Sequence, residues 1–130
     1  MHGSAATELL VTVAEPTRLR IINCLAAAPL FVSDLQTVLE LPQPTVSRHL
    51  QVLRKAELVR DTPIAQFVLY RLRRAPGAQG RLLAAILEAM HADPALRSER
   101  EEAAERSRAH TDARVQAPDG SGPGRGRRPS

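Results

Sequence analysis

Apolar residues recur along this chain at helical spacing, except in one interval where the pattern reads as strand. Residues 5–14 (AATELLVTVA) form a first short apolar run that Glu15-Pro16 interrupts. Pro16 suits the first turn of a second helix, where its missing N–H costs no hydrogen bond. Leu19, Ile22 and Leu25 give that helix a stripe down to about residue 27, and Pro29 ends it. Ser33 is the expected N-cap of a third helix, Asp34 to Glu40, with Leu35, Val38 and Leu39 inward. After Glu40-Leu41-Pro42, Pro44 stands in the first turn of a fourth helix that reaches Ala56. Two strand-like runs follow, one ending in Leu58-Val59-Arg60 and one from Phe67 to Leu72. The connection from Asp61 to Gln66 makes the pair a predicted hairpin. Pro76-Gly77 breaks the pattern. A long helix is expected from Ala78, with Leu82, Leu83, Ile86, Leu87 and Met90 on one face, bending at Asp93-Pro94 and continuing to Ala113.

This order defines a mainly α fold with a β-hairpin wing. Helices three and four joined by a tight turn make a helix-turn-helix, and the hairpin after it is the wing. The chain has 130 residues with 43% hydrophobic content, enough for one compact domain, expected over residues 1–113. Residues 114–130, rich in Gly, Pro, Ser and Arg, are expected to form a disordered tail. A core this small is marginal alone, so a dimer that buries more surface would help it.

Charge and cysteine usage narrow the function classes. Eighteen basic residues, all Arg except Lys55, against fourteen acids give a net charge of +4, which favours a polyanionic partner. Cys24 is the only cysteine, so no intramolecular disulfide forms, and a reducing cytoplasm is the expected location. The first ten residues carry no basic, apolar leader pattern. No apolar run approaches the roughly 20 residues of a membrane span, so no membrane partner is expected. No Ser/His/Asp or Cys/His set, phosphate loop or HExxH motif is present, so an enzyme is not expected.

The fourth helix carries the chemistry. At 100° per residue, Val46, Leu50 and Leu53 share the inward face. The opposite face presents Thr45, Ser47, Arg48 and Gln51, with Gln43 at the entry and no acid. Gln pairs bidentately with adenine and Arg with guanine, while Ser or Thr reaches either a base or a phosphate. Arg54 and Lys55, further along, suit phosphates, which position a protein without reading sequence. Arg60, Arg71, Arg73 and Arg74 around the hairpin are further phosphate candidates or ordinary solvated surface. Arg125, Arg127 and Arg128 in the tail are candidates for non-specific affinity.

Two segments carry a family resemblance. Residues 14–22 (AEPTRLRII) and 41–59 (LPQPTVSRHLQVLRKAELV) resemble the second helix, and the recognition helix with first strand, of ArsR/SmtB-type winged helix-turn-helix regulators. The resemblance covers roughly residues 8–100. It implies a homodimer paired through its first and last helices, bound to operator DNA, usually as a repressor released by an effector. It places Gln43, Thr45, Ser47, Arg48 and His49 at DNA. Two departures stand out. Pro42 replaces the Ser cap common at the start of the recognition helix, and the wing tip, residues 61–66 (DTPIAQ), lacks the usual basic residue and leaves Ile64 exposed.

The effector is open. Where the family places a Cys-x-Cys pair, this chain has residues 30–34 (LFVSD), with no thiolate for a soft metal. Cys24 reads as a small buried hydrophobe. The family's last-helix site uses Asp-x-His, whereas here the order is reversed in His91-x-Asp93. Glu88, His91, Asp93 and His110 are therefore weak candidates for a dimer-spanning zinc or nickel site, against a plain reading as surface charge. Residues 99–108 read as a solvated helix supported by Glu102 and Arg106 at i,i+4 spacing. The main function expected is a sequence-specific DNA-binding regulator; the alternative is a protein-interaction module on the same fold.

Overall fold

The computed structural model describes residues 4–116, so His2 and the tail from residue 117 onward lie outside the described residues. The elements are α1 (Ala5–Val13), α2 (Pro16–Ala27), β1 (Leu30–Phe31), α3 (Val32–Leu39), α4 (Gln43–Lys55), β2 (Val59–Ile64), β3 (Phe67–Leu72), α5 (Gly77–Met90) and α6 (Pro94–Gln116). A three-stranded antiparallel sheet with order β1-β3-β2 completes a winged helix-turn-helix.

Local chemistry sets the boundaries. Ser4 caps α1 by accepting from the Thr7 N–H, and Glu15 caps α2 by accepting from the Arg18 N–H. The third helix starts one residue before the expected cap. Phe31 holds the N-cap position, and the Asp34 carboxylate accepts the Phe31 N–H at 2.9 Å. Ser33 is thus inside the first turn, because an acid three residues on can serve the cap backbone instead. Glu40 ends α3 in the left-handed region at φ 56°, and Glu57 does the same after α4 at φ 63°. There the Leu58 N–H reaches back to the Leu53 carbonyl at 2.9 Å, which satisfies an orphan group of the last turn.

The wing is longer than the sequence pattern suggests. Ile64 pairs with Phe67, leaving only Ala65 and Gln66 in the turn, with Ala65 at φ 54°. Pro63 is tolerated because β2 is an edge strand, where a missing N–H costs no ladder bond. β1 was not expected at all. It is two residues long, pairing Leu30 with Tyr70 and Phe31 with Leu69, too short for any periodicity to register.

The core forms around α2. Ile21, Ile22 and Cys24 are fully buried, packed with Leu9 and Val13 of α1, Leu35 of α3, Val46, Leu50 and Leu53 of α4, and Leu83 and Leu87 of α5. Burying one such side chain contributes about 1.5–3 kcal/mol.

The expected long last helix is two helices. His91, Ala92 and Asp93 interrupt it, and the Asp93 carboxylate accepts the Ala95 N–H at 2.9 Å to start α6. Nor is α6 a solvated arm. It returns along α2 and α3 of its own chain. Its sequence concealed this because the attachment is mostly polar, with Ala103 its one fully buried apolar side chain among the described residues. Arg20 pairs with Glu99 through Nε, at 3.2 and 3.1 Å, and through Nη2. Asn23, fully buried, donates to the Leu96 carbonyl at 2.7 Å and accepts from Arg100 Nε at 3.0 Å. Asp34, also fully buried, accepts from Arg106 Nε at 3.0 Å and meets His110 Nε2 at 2.7 Å. Arg106 therefore engages Asp34 of α3 rather than its helix neighbour Glu102.

Candidate nucleic-acid interface

The interface is built on α4. Val46, Leu50 and Leu53 are fully buried on one side and fix the helix against the core. Gln43, Arg48, Gln51, Arg54 and Lys55 are exposed on the other, with Thr45 and Ser47 half-buried beside them. The helix contains no acid. Its N-cap is Pro42, which offers no side-chain hydrogen bond; Pro44 has no N–H, and the Thr45 N–H donates to the Pro42 carbonyl at 3.1 Å. The missing Ser cap noted in the sequence thus has a structural counterpart.

The side chains of this face differ in what holds them. Gln43 donates from Nε2 to Ser47 Oγ at 2.6 Å, pairing two of the expected base-reading groups one turn apart. The Gln51 carbonyl oxygen accepts from Arg54 Nε at 3.2 Å and Nη2 at 3.0 Å. Gln51 also bonds the Tyr70 phenol, which burial and the nearby Asp61 carboxylate push above its usual pKa while Arg54 and this bond act the other way. Gln51 therefore links α4 to the wing. Among the described residues no hydrogen bond or ion pair engages the Arg48 side chain.

His49 is turned off this face. Its side chain is only 14% exposed, with Nδ1 3.8 Å from the Glu15 carboxylate and 3.4 Å from Arg18 Nη1. Arg18 is in turn anchored by donating from Nε to the Thr12 carbonyl at 2.7 Å. Burial raises the Glu15 pKa, but the Arg18 backbone N–H and His49 outweigh it and leave the carboxyl below its usual value. His49 joins the recognition helix to the start of α2, a packing contact beside its expected place at DNA.

The wing tip carries no base-reading cation. Asp61, Ile64 and Phe67 are exposed there, Ile64 at 38% and Phe67 at 56%. Leu72 pairs with Val59 at the far end of the hairpin, about 17 Å from the Ile64–Phe67 end at about 3.3 Å per residue. Arg71, Arg73 and Arg74 therefore stand at the base of the wing. Arg73 reaches the Glu57 carbonyl and Arg74 the Ala26 carbonyl, each at 3.5 Å. Arg60, opposite Arg71, is likewise near the base.

The metal candidates do not meet within the chain. Glu88 and His91 border one cleft, Asp93 caps α6, and His110 is engaged with Asp34 and lies edge-on to Phe31. Asp93 precedes α6 and His110 lies within it, about 25 Å along at about 1.5 Å per residue. Among the described residues no three His, Cys, Asp or Glu side chains are grouped to hold an ion. The residues present within one chain do not fit zinc or nickel. Burial pushes the Cys24 thiol up to about 12, with Glu99 and Glu102 adding to it and Arg20 and Arg100 opposing. That is the behaviour of an inert core cysteine.

A recognition helix held by an apolar seam, followed by a hairpin wing, defines a winged helix-turn-helix regulator. The model of the bacterial regulatory protein arsR family matches residues 15–61, which is α2 through the middle of β2. The repressor SmtB of Mycobacterium tuberculosis is 41% identical over 68 residues, 52% of this chain and 50% of that protein. The biofilm growth-associated repressor of Agrobacterium fabrum is 36% identical over 84 residues, 65% of this chain and 67% of that protein. The solved transcriptional repressor BigR of Xylella fastidiosa superposes with a TM-score of 0.58 at 27% identity, covering 66% of this chain and 82% of that one. This chain belongs to the ArsR/SmtB-type family of winged helix-turn-helix transcriptional regulators. The chain spans about half the length of the mycobacterial repressor it matches.

Two functional features escaped the sequence reading. The buried polar groups Asn23 and Asp34 looked like ordinary helix residues; the only signal was their position beside core apolar residues. The role of His49 was masked by its place in a motif otherwise facing outward.

Proposed function

We propose that this protein is a homodimeric repressor that binds a specific operator through α4 and yields it to an effector. The observation that carries the reading is the acid-free outer face of α4 with Arg48 unengaged among the described residues. An arginine with no internal partner has its full fork available for guanine O6 and N7. Gln43, Thr45 and Ser47 precede it on the same helix, and Arg54 and Lys55 follow at phosphate distance along the groove. The family supports a cytoplasmic setting, and no helix among the described residues is long and apolar enough to cross a membrane.

The dimer is supported by α1. Leu10 and Val11 are 48% and 67% exposed there, an apolar pair without cover in a single chain. α1 packs against α5, whose Ala85 and Ala89 are also exposed, so a second copy would find a continuous surface of small and apolar residues. In the dimer the two α4 helices enter successive major grooves about 34–36 Å apart. The effector is a metal completed across the dimer or a small molecule.

Exposed Ile64 and Phe67 favour a second reading, a protein-interaction module that docks through the wing. Fluorescence anisotropy on the gene's own upstream DNA and on scrambled DNA separates the two. Selective binding that weakens steeply with salt is expected. Equal, weak binding to both DNAs overturns the repressor reading and favours the module. Sedimentation is expected to give twice the chain mass.

A further inference from the structure

A cleft of about 320 Å³ lies where α2, α5, α6 and the segment after β3 converge. Ala26 and Leu87 supply apolar surface, Arg74 and Arg100 supply guanidinium groups, and Glu88 and His91 complete the rim. An adjoining cleft of about 240 Å³ shares Ala26 and Arg74 and adds Arg71. Arg71 and Arg74 stand at the base of the wing rather than at its tip, and Arg100 lies on α6, so none of the three is on α4 or at the wing tip.

Arg100 is held in place by two hydrogen bonds within the fold. Its Nε donates to the fully buried Asn23, and its Nη2 donates to the Leu87 carbonyl at 3.3 Å. Both acceptors are neutral. Arg20 and Arg106 by contrast meet carboxylates, Glu99 and Asp34, while Arg97 of α6 also donates to a neutral acceptor, the His91 carbonyl, at 2.8 Å. Among the described residues neither Arg100 nor Arg74 has a carboxylate partner, and Arg74 contacts only the neutral Ala26 carbonyl. Arg100 is thus a half-buried cation fixed in orientation with its charge uncompensated. Such a group is prepared for a charge-assisted hydrogen bond to an anion.

The balance of the lining sets the charge of the ligand. Two guanidinium groups against the single Glu88 carboxylate leave one positive charge, which suits a monoanion better than a dianion. The lining is more polar than apolar, with Ala26, Ala84 and Leu87 as its apolar part beside the guanidinium groups, and the volume is at the small end of ligand sites, about 300–1,000 Å³. We propose that this cleft binds a small organic carboxylate, its carboxylate between Arg74 and Arg100 and its apolar body over Ala26 and Leu87. On the repressor reading above, such a ligand is the effector. It would tie the wing base to α5 and α6 and so bias how the wing is carried relative to the dimer.

Benzoate and inorganic phosphate serve as probes, titrated into the full chain by calorimetry and by amide NMR shifts. Saturable benzoate binding is expected, with shifts at Ala26 and Leu87 and little response to phosphate. Arg74→Gln, at an exposed position, is expected to weaken benzoate about fivefold or more, as loss of one charge-assisted contact does. Glu88→Gln removes the competing carboxylate and is expected to tighten it, while Arg60→Gln on the wing changes nothing. No saturable shift, or equal binding by wild type, Arg74→Gln and Glu88→Gln, overturns the site. Phosphate saturating the cleft in preference to benzoate overturns the carboxylate assignment. These titrations contain no DNA, so a protein that takes benzoate but no operator would refute the repressor reading alone.

Discussion

Two helices of this protein carry most of its polar chemistry and use it in opposite ways. On α4 the apolar seam does the holding, and the polar side chains are left largely to solvent or to each other. On α6 there is almost no apolar seam, and the polar side chains themselves do the holding, through Arg20–Glu99, Asn23–Arg100 and Asp34–Arg106–His110. A polar group in the first setting is available to a partner molecule. In the second it is part of the fold. The same residue type, arginine, is unengaged among the described residues at position 48 and a fastener at position 106, and the difference lies in whether a buried acceptor faces it.

The largest expected effect breaks the fastening. Asp34 is fully buried and holds three donors, so Asp34→Ala is expected to cost about 2–3 kcal/mol, read from the urea midpoint. A shift near zero would mean that α6 is held by something else. Acid should act the same way. Burial raises the Asp34 pKa, but His110, the Phe31 N–H and Arg106 outweigh it and bring the carboxyl below its usual value. A carboxyl lowered in the folded state contributes stability that is full above its unfolded pKa of about 3.9 and is lost as pH falls through the folded value. Stability should therefore fall from about pH 4 downward in wild type and less so in Asp34→Asn.

The next effect belongs to α4. Arg48→Ala is expected to cost about 1–3 kcal/mol of DNA binding and to relax discrimination at one position per half-site, without moving the urea midpoint. Arg54→Ala should weaken all sequences alike and lower the salt slope by about one. If Arg54→Ala instead changes base preference, its bond to Gln51 positions a reader, and the boundary between readers and fasteners runs through that pair. The smallest effect is at Cys24. With its thiol pushed up to about 12, it should resist alkylation at neutral pH in the folded protein and react on unfolding.

The sequence was legible where apolar spacing decides structure. The stripe through Val46, Leu50 and Leu53 set both the existence of α4 and the face it presents, and Leu19, Ile22 and Leu25 did the same for α2. It was illegible where polar contacts between distant residues decide. Nothing near residues 99–110 announces that Arg106 and His110 meet Asp34 more than seventy positions away, so α6 read as a solvated arm. His49 shows the same limit inside a motif. Its neighbours Ser47 and Arg48 face outward, but only the packing of α4 on α2 brings Glu15 and Arg18 to its ring.

The central claim is that the outer face of α4 reads DNA sequence. Its most direct test is anisotropy of wild type and Arg48→Ala on the upstream operator and on a set of single base-pair variants of it. The expected result is a wild type that penalises changes in two symmetric half-sites, and an Arg48→Ala protein that loses the penalty at one position in each. Identical profiles for the two proteins would contradict the account and remove α4 from the groove.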